Sequence, residues 1–117
     1  MTRVIDEIVE EALRELSDAQ AQARLWSSTG ETDVSSLTEA KSRLWDDSGL
    51  GAAMKRGVVY SDSIDMQLRR LHDTLRRIDE NAPVALLLGS EDLVTARSLA
   101  SDLLEQLRNF GDGLGER

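Results

Sequence analysis

The sequence predicts an all-α domain, a bundle of about four principal helices, and three observations carry that reading. Apolar residues recur at three- and four-residue steps over long stretches of chain. Aromatic residues make up only 3% of the 117 residues, so the core falls to Leu, Ile, Val and Ala, which suit helices better than sheets. A single proline and a hydrophobic content of 40% complete the pattern. A chain of this length buries about two-thirds of its unfolded surface, which is enough for one core without a disulfide or a metal staple. The expected division is one helical domain over residues 1–110 and a glycine-rich, flexible tail over 111–117.

From Arg3 to Trp26, the residues Ile5, Ile8, Val9, Ala12, Leu13, Leu16, Ala19, Ala23 and Trp26 mark one face of a long amphipathic helix. Ser27, Ser28, Thr29 and Gly30 stop it, because hydroxyl side chains compete for backbone hydrogen bonds and glycine accepts a left-handed turn. Ser36-Leu-Thr-Glu39 has the form of a capping box and opens a second helix running to Trp45 or Asp46. Three glycines between Asp47 and Tyr60 predict a loop, with one short extended segment near residues 57–60 where Val58, Val59 and Tyr60 stand together. Ser61 or Ser63 opens the next helix, in which Ile64, Leu68, Leu71, Leu75 and Ile78 form an apolar seam little more than two heptads long. Packing within a bundle suits a seam of that length better than a coiled coil. Pro83 ends this helix, and Ser90-Glu91-Asp92 caps the last one, whose buried stripe is Leu93, Ala96, Leu99, Ala100, Leu103, Leu107 and Phe110.

Charge narrows the function classes. Fourteen basic residues against 22 acidic ones give a net charge of −8, which repels a phosphate backbone, so nucleic acid is not an expected partner. The N-terminal residues carry acids within the first turns and no apolar stretch of signal-peptide length, and the longest apolar run, Ala82 to Leu88, falls far short of the ~18 residues of a membrane span. A cytoplasmic location is expected, and the absence of cysteine is compatible with it. Locally the sign reverses: residues 55–77 carry six bases (Lys55, Arg56, Arg69, Arg70, Arg76 and Arg77) against Asp62, Asp65 and Asp73. Such a patch suits contact with a phosphate or an acidic partner, while the i,i+4 pairs Asp65–Arg69 and Asp73–Arg77 are equally those of an ordinary solvated helix, the expected reading.

The acids are the residues with candidate chemistry. Glu7 with Glu10, and Glu15 with Asp18, have the i,i+3 spacing of helical metal ligands. The all-helical nucleotide pyrophosphatases place two such pairs on different helices, whereas here both fall on one. No catalytic, cofactor or metal residues are therefore assigned. Asp46-Asp47 beside Ser48 and Gly49 lacks the spacing of a Ca²⁺ loop, and a turn or cap role suits it. His72, the lone histidine, is expected to face solvent. The segments Arg24-Leu25-Trp26 and Arg43-Leu44-Trp45 start 19 residues apart and are each followed by small polar residues and a glycine, as shared helix-stop chemistry would produce.

The acids of the first helix form the more informative surface. Glu7, Glu11, Glu15 and Asp18 follow one another at steps of four, four and three, and each stacked like-charge pair costs about 0.2–0.5 kcal/mol. Such a stripe is either a face that keeps the protein soluble or an anionic docking face for a basic protein, joined in the second case by Asp46 and Asp47.

The stretch Asp33-Val-Ser-Ser-Leu-Thr-Glu-Ala40, then Leu44-Trp-Asp-Asp-Ser-Gly-Leu50, then the helix from Ile64 to Ile78 and a Leu-rich turn before a last helix, resembles a group of small bacterial proteins. That group carries an aromatic-Asp-Asp-Ser/Thr-Gly-Leu segment and includes immunity proteins of contact-dependent toxin systems. The resemblance covers roughly residues 33–107, and its specific part is residues 44–50, with Trp45 where phenylalanine is the expected aromatic. It implies a cytosolic single-domain protein that acts by binding another protein. The expected function is thus a non-enzymatic, acidic inhibitor of a basic toxin domain, monomeric when free, with Glu7, Glu11, Glu15, Asp18, Asp46 and Asp47 meeting the partner. A scaffold that self-associates through the Ile64–Ile78 helix is the alternative, and a metal-dependent nucleotide hydrolase comes third.

Overall fold

In a computed structural model, the backbone is described for residues 4–26, 37–79 and 82–115. Side chains are described from residue 7 to residue 110 within those spans, Leu25 and Val84 excepted. Every regular element among these residues is helical. The order is α1 (Val4–Ser17), α2 (Ala19–Trp26), α3 (Leu37–Ser42) continuing into a π-helical turn (Arg43–Asp47), α4 (Leu50–Arg56), α5 (Asp62–Arg76), α6 (Val84–Leu88) and α7 (Glu91–Gly115). The proposed stop at Ser27–Gly30 and the capping serine Ser36 lie outside the described residues.

The spine of the bundle is α7, against which both α1 and α5 pack. At about 1.5 Å per residue its 25 residues account for most of the 45 Å long axis. Ser90 caps it by accepting a hydrogen bond from the Leu93 N–H at 3.1 Å, as the sequence predicts. Leu93, Ala96, Ala100 and Leu103 are fully buried, while Leu99, Leu107 and Phe110 pack half-buried at the margin. The helix extends to Gly115, into the stretch read from sequence as a tail.

The predicted seam of α5 is inside the protein: Leu68, Leu71 and Leu75 are fully buried, with Ile64 and Ile78 nearly so. Ser61 is its cap, its hydroxyl accepting from the Ile64 N–H at 3.0 Å. The helix ends at Arg76, well before Pro83, and Ile78 enters the core from the turn beyond it. Pro83 instead stands immediately before α6, where its missing N–H costs nothing.

Three expectations are corrected. The first helix is not continuous to Trp26, because Asp18 interrupts it and starts α2, its carboxylate accepting from the Gln20 and Ala21 N–H groups at 3.0 and 3.1 Å. Re-aiming the chain there exposes Ala19 and Ala23 and turns Gln22 inward instead. Residues 50–56 form a helix rather than a loop, bracketed by Gly49 in the left-handed region (φ 82°) and by Gly57 (φ 150°). No strand forms near residues 57–60, where the N–H groups of Val59 and Tyr60 bond to the buried Asp65 carboxylate at 2.8 and 3.1 Å.

Candidate protein-docking site

The acids proposed for partner binding separate into distinct environments. Glu7 and Glu11 stand exposed on the outer side of α1, opposite the buried Val9, Ala12, Leu13 and Leu16. Between them Glu10 is bonded to Arg14 at 2.8 Å, an exposed i,i+4 pair worth about 0.3–0.5 kcal/mol. Asp46 and Asp47 are exposed in the π-helical turn.

Glu15 does not belong to that surface. Only 9% exposed, it accepts from the Trp26 indole N–H through Oε2 and from the Arg43 guanidinium through Oε1, each at 2.9 Å. The carboxylate therefore ties α1 to the end of α2 and to the start of the π-helical turn. Each Arg-Leu-Trp segment supplies one of its partners, the tryptophan from the first and the arginine from the second. Asp18 is exposed, yet its carboxylate is engaged in the α2 cap. The i,i+3 pair of Glu15 with Asp18 is thus divided between a core bond and a helix cap. The stacked-charge cost inferred from sequence shrinks to the single step from Glu7 to Glu11.

A second buried polar connection fixes α2 below this point. The Gln22 amide donates to the carbonyls of Glu15 and Leu16 at 3.1 and 2.8 Å, and its oxygen accepts from Arg97 Nε at 2.8 Å. Arg97 also donates to the Leu88 carbonyl at 2.7 Å, closing the end of α6. The Gln22 amide thereby serves carbonyls at the end of α1, where the helix is interrupted at Asp18.

The segment Leu44–Leu50 has a structural task in most of its residues. Ser48 is buried, donates to the Leu44 carbonyl at 2.7 Å and accepts from the Leu50 N–H at 3.1 Å, while Gly49 supplies the positive φ that reverses the chain. Trp45 stacks flat on His72 of α5, with ring centroids 4.1 Å apart and planes 12° from parallel. His72 is consequently half-buried rather than solvent-facing. Burial lowers its imidazole pKa from the ordinary 6.5, Arg76 adds to that lowering, and Asp73 and Asp46 oppose it. Asp46 and Asp47 are left as the residues of this segment that point at solvent without a bond to the core.

The same ring explains Gly51. A Cβ there would lie 2.5 Å from Trp45 Nε1 and 2.8 Å from Cδ1. Glycine to alanine inside a helix ordinarily stabilises by about 0.5–1 kcal/mol, but here the indole must leave His72 to make room. Gly51→Ala is expected to destabilise by about 1–3 kcal/mol, read from thermal denaturation and from altered Trp45 fluorescence. A variant as stable as the wild type would show that the ring is not held in place.

No family model matches the chain, and no curated protein or solved structure matches it. The functional reading therefore rests on the residues themselves. No described helix is long and apolar enough to cross a membrane.

Proposed function

We propose that this protein is a non-enzymatic, acidic protein-binding domain, an immunity or antitoxin type inhibitor that acts in the cytoplasm on a basic partner. One observation carries the reading. The part-buried Glu15–Arg43 bond fastens the turn bearing Asp46 and Asp47 to the helix bearing Glu7 and Glu11, so exposed carboxylates on two elements are held in fixed relation. Preorganised charge of this kind avoids an ordering cost on association and steers a basic protein by its potential. The likeness of residues 44–50 to the aromatic-Asp-Asp-Ser-Gly-Leu segment of immunity-type proteins supports it, since Asp46 and Asp47 are the exposed part of that segment. Burial of the α5 seam inside the chain disfavours the self-associating scaffold.

The test is kinetic. The partner is first captured on the immobilised protein and identified, then its association rate is measured against ionic strength for the wild type and for Glu7→Lys/Glu11→Lys. Both positions are exposed and outside the core bonds, so the variant keeps its fold. At low salt its association is expected to slow by about tenfold and to lose most of its salt dependence. Association at the wild-type rate would reduce the acidic face to a solvated surface.

A further inference from the structure

The basic stretch of α5 is a surface in its own right, independent of the acidic one. Met66, Arg69, Arg70, Asp73, Arg76 and Arg77 recur turn by turn and are all exposed, forming the outer face opposite the buried seam. The intrahelical pairs expected from the sequence do not hold these arginines. Asp65 is turned inward to the Val59 and Tyr60 N–H groups, and Arg77 reaches Asp92 of α7 at 3.7 Å and Thr74 at 3.4 Å. Arg69, Arg70 and Arg76 make no ion pair among the described residues. Where α5 meets α7, an open groove of about 520 Å³ is lined by Met66, Arg69, Arg70, Asp73, Arg77 and Thr95, with Thr74 at its base. Met66 is 58% exposed, a flexible apolar side chain standing among guanidinium groups.

We propose that this groove docks an acidic, amphipathic peptide segment of a partner protein. Unpaired guanidinium groups offer forked donors that match carboxylates two at a time, and Met66 offers an adaptable contact for an apolar side chain between them. The face from Met66 to Arg77 is about 16 Å long, the span of some three helical turns or of about five extended residues. Charge selects the class of partner. The chain as a whole carries 22 acids against 14 bases, so a long polyphosphate chain reaching beyond the groove approaches a protein of net negative charge. A short peptide ends within the groove.

The probe is a display library of random peptides of about twelve residues, selected on the immobilised full-length protein, with binding then measured by fluorescence anisotropy on synthetic peptides. Selected sequences are expected to interleave Asp or Glu with Leu, Met or Phe. Their affinity should fall at least about tenfold in Arg69→Glu/Arg70→Glu and in Met66→Asp, and stay unchanged in Arg108→Glu, an exposed arginine elsewhere on α7. All three variants alter exposed side chains, and an unchanged melting curve verifies their folding. Any of these results would overturn the proposal: no selectable peptide, selected peptides without acidic enrichment, equal binding to the charge-reversed variant, or tighter binding of a single-stranded oligonucleotide than of any peptide. Arginine-dependent self-association in sedimentation would assign the groove to a second copy of the chain and overturn it likewise. Loss of the acidic-face interaction in Glu7→Lys/Glu11→Lys leaves these measurements untouched, so the two readings fail separately.

Discussion

Glu15→Lys is expected to unfold the domain or leave it barely stable, while Glu11→Lys, one turn earlier on the same helix, changes stability by no more than about 0.5 kcal/mol. The contrast follows from what each carboxylate touches. Glu11 is exposed. Glu15 holds the Trp26 indole N–H and the Arg43 guanidinium, and its own side chain is 8% exposed. Removing it strands a donor on a nearly buried tryptophan and puts one cation against another. Breaking a buried ion pair by deleting one partner costs about 3–5 kcal/mol, and because Arg43 is partly exposed and can rehydrate, truncation to alanine should fall near the lower end. Lysine adds repulsion and exceeds it. Glu15→Gln, which keeps an acceptor for Trp26 but loses the charge facing Arg43, should lose only about 1–2 kcal/mol. Urea denaturation of the four proteins measures the order directly. Equal midpoints for Glu15→Lys and Glu11→Lys would return Glu15 to the surface stripe.

Leu71→Asp should abolish cooperative folding. Leu71 is fully buried in the middle of the α5 seam, between Leu68 and Leu75, in the core shared with Leu93, Ala96, Ala100 and Leu103 of α7. Truncating such a leucine to alanine costs about 2–5 kcal/mol from lost transfer energy and the cavity left behind. A carboxylate adds the penalty of an unpaired charge with no donor aimed at it, and the total reaches the ~5–15 kcal/mol that holds a small domain together. The readout is loss of the thermal transition and of chemical-shift dispersion in amide spectra. Leu86→Asp, at a leucine 68% exposed on α6, serves as the comparison and should melt like the wild type. A cooperative transition retained in Leu71→Asp would mean that α5 does not pack through this seam.

Much of the architecture can be read from the order of residues. The 3.6-residue rhythm of α1, α5 and α7, the Ser61 and Ser90 caps and the leucine core are local or periodic features, and each helix builds them from residues within a few positions of one another. The same logic places Glu7 and Glu11 on the outside. Segment 50–56 escaped it because glycines at 49, 51 and 57 signal a loop when counted together. Read as punctuation, Gly49 and Gly57 bracket a helix and Gly51 makes room for a ring, a distinction that requires knowing where Trp45 lies.

What the sequence by itself determined is an all-helical chain with a leucine-built interior and an acidic excess interrupted by one basic segment, residues 55–77. Tertiary structure alone decided which charges remain available. Glu15 and Glu11 are the same residue type on the same helix, and the partners that bury one of them come from positions 26 and 43, brought in by the packing of α2 and the π-helical turn. Likewise, Asp65 is spaced to pair with Arg69, and the turn at Val59 and Tyr60 turns it inward by supplying two backbone donors. Helical periodicity depends on neighbours three and four residues away, whereas the fate of a carboxylate depends on which distant donors reach it when the core closes.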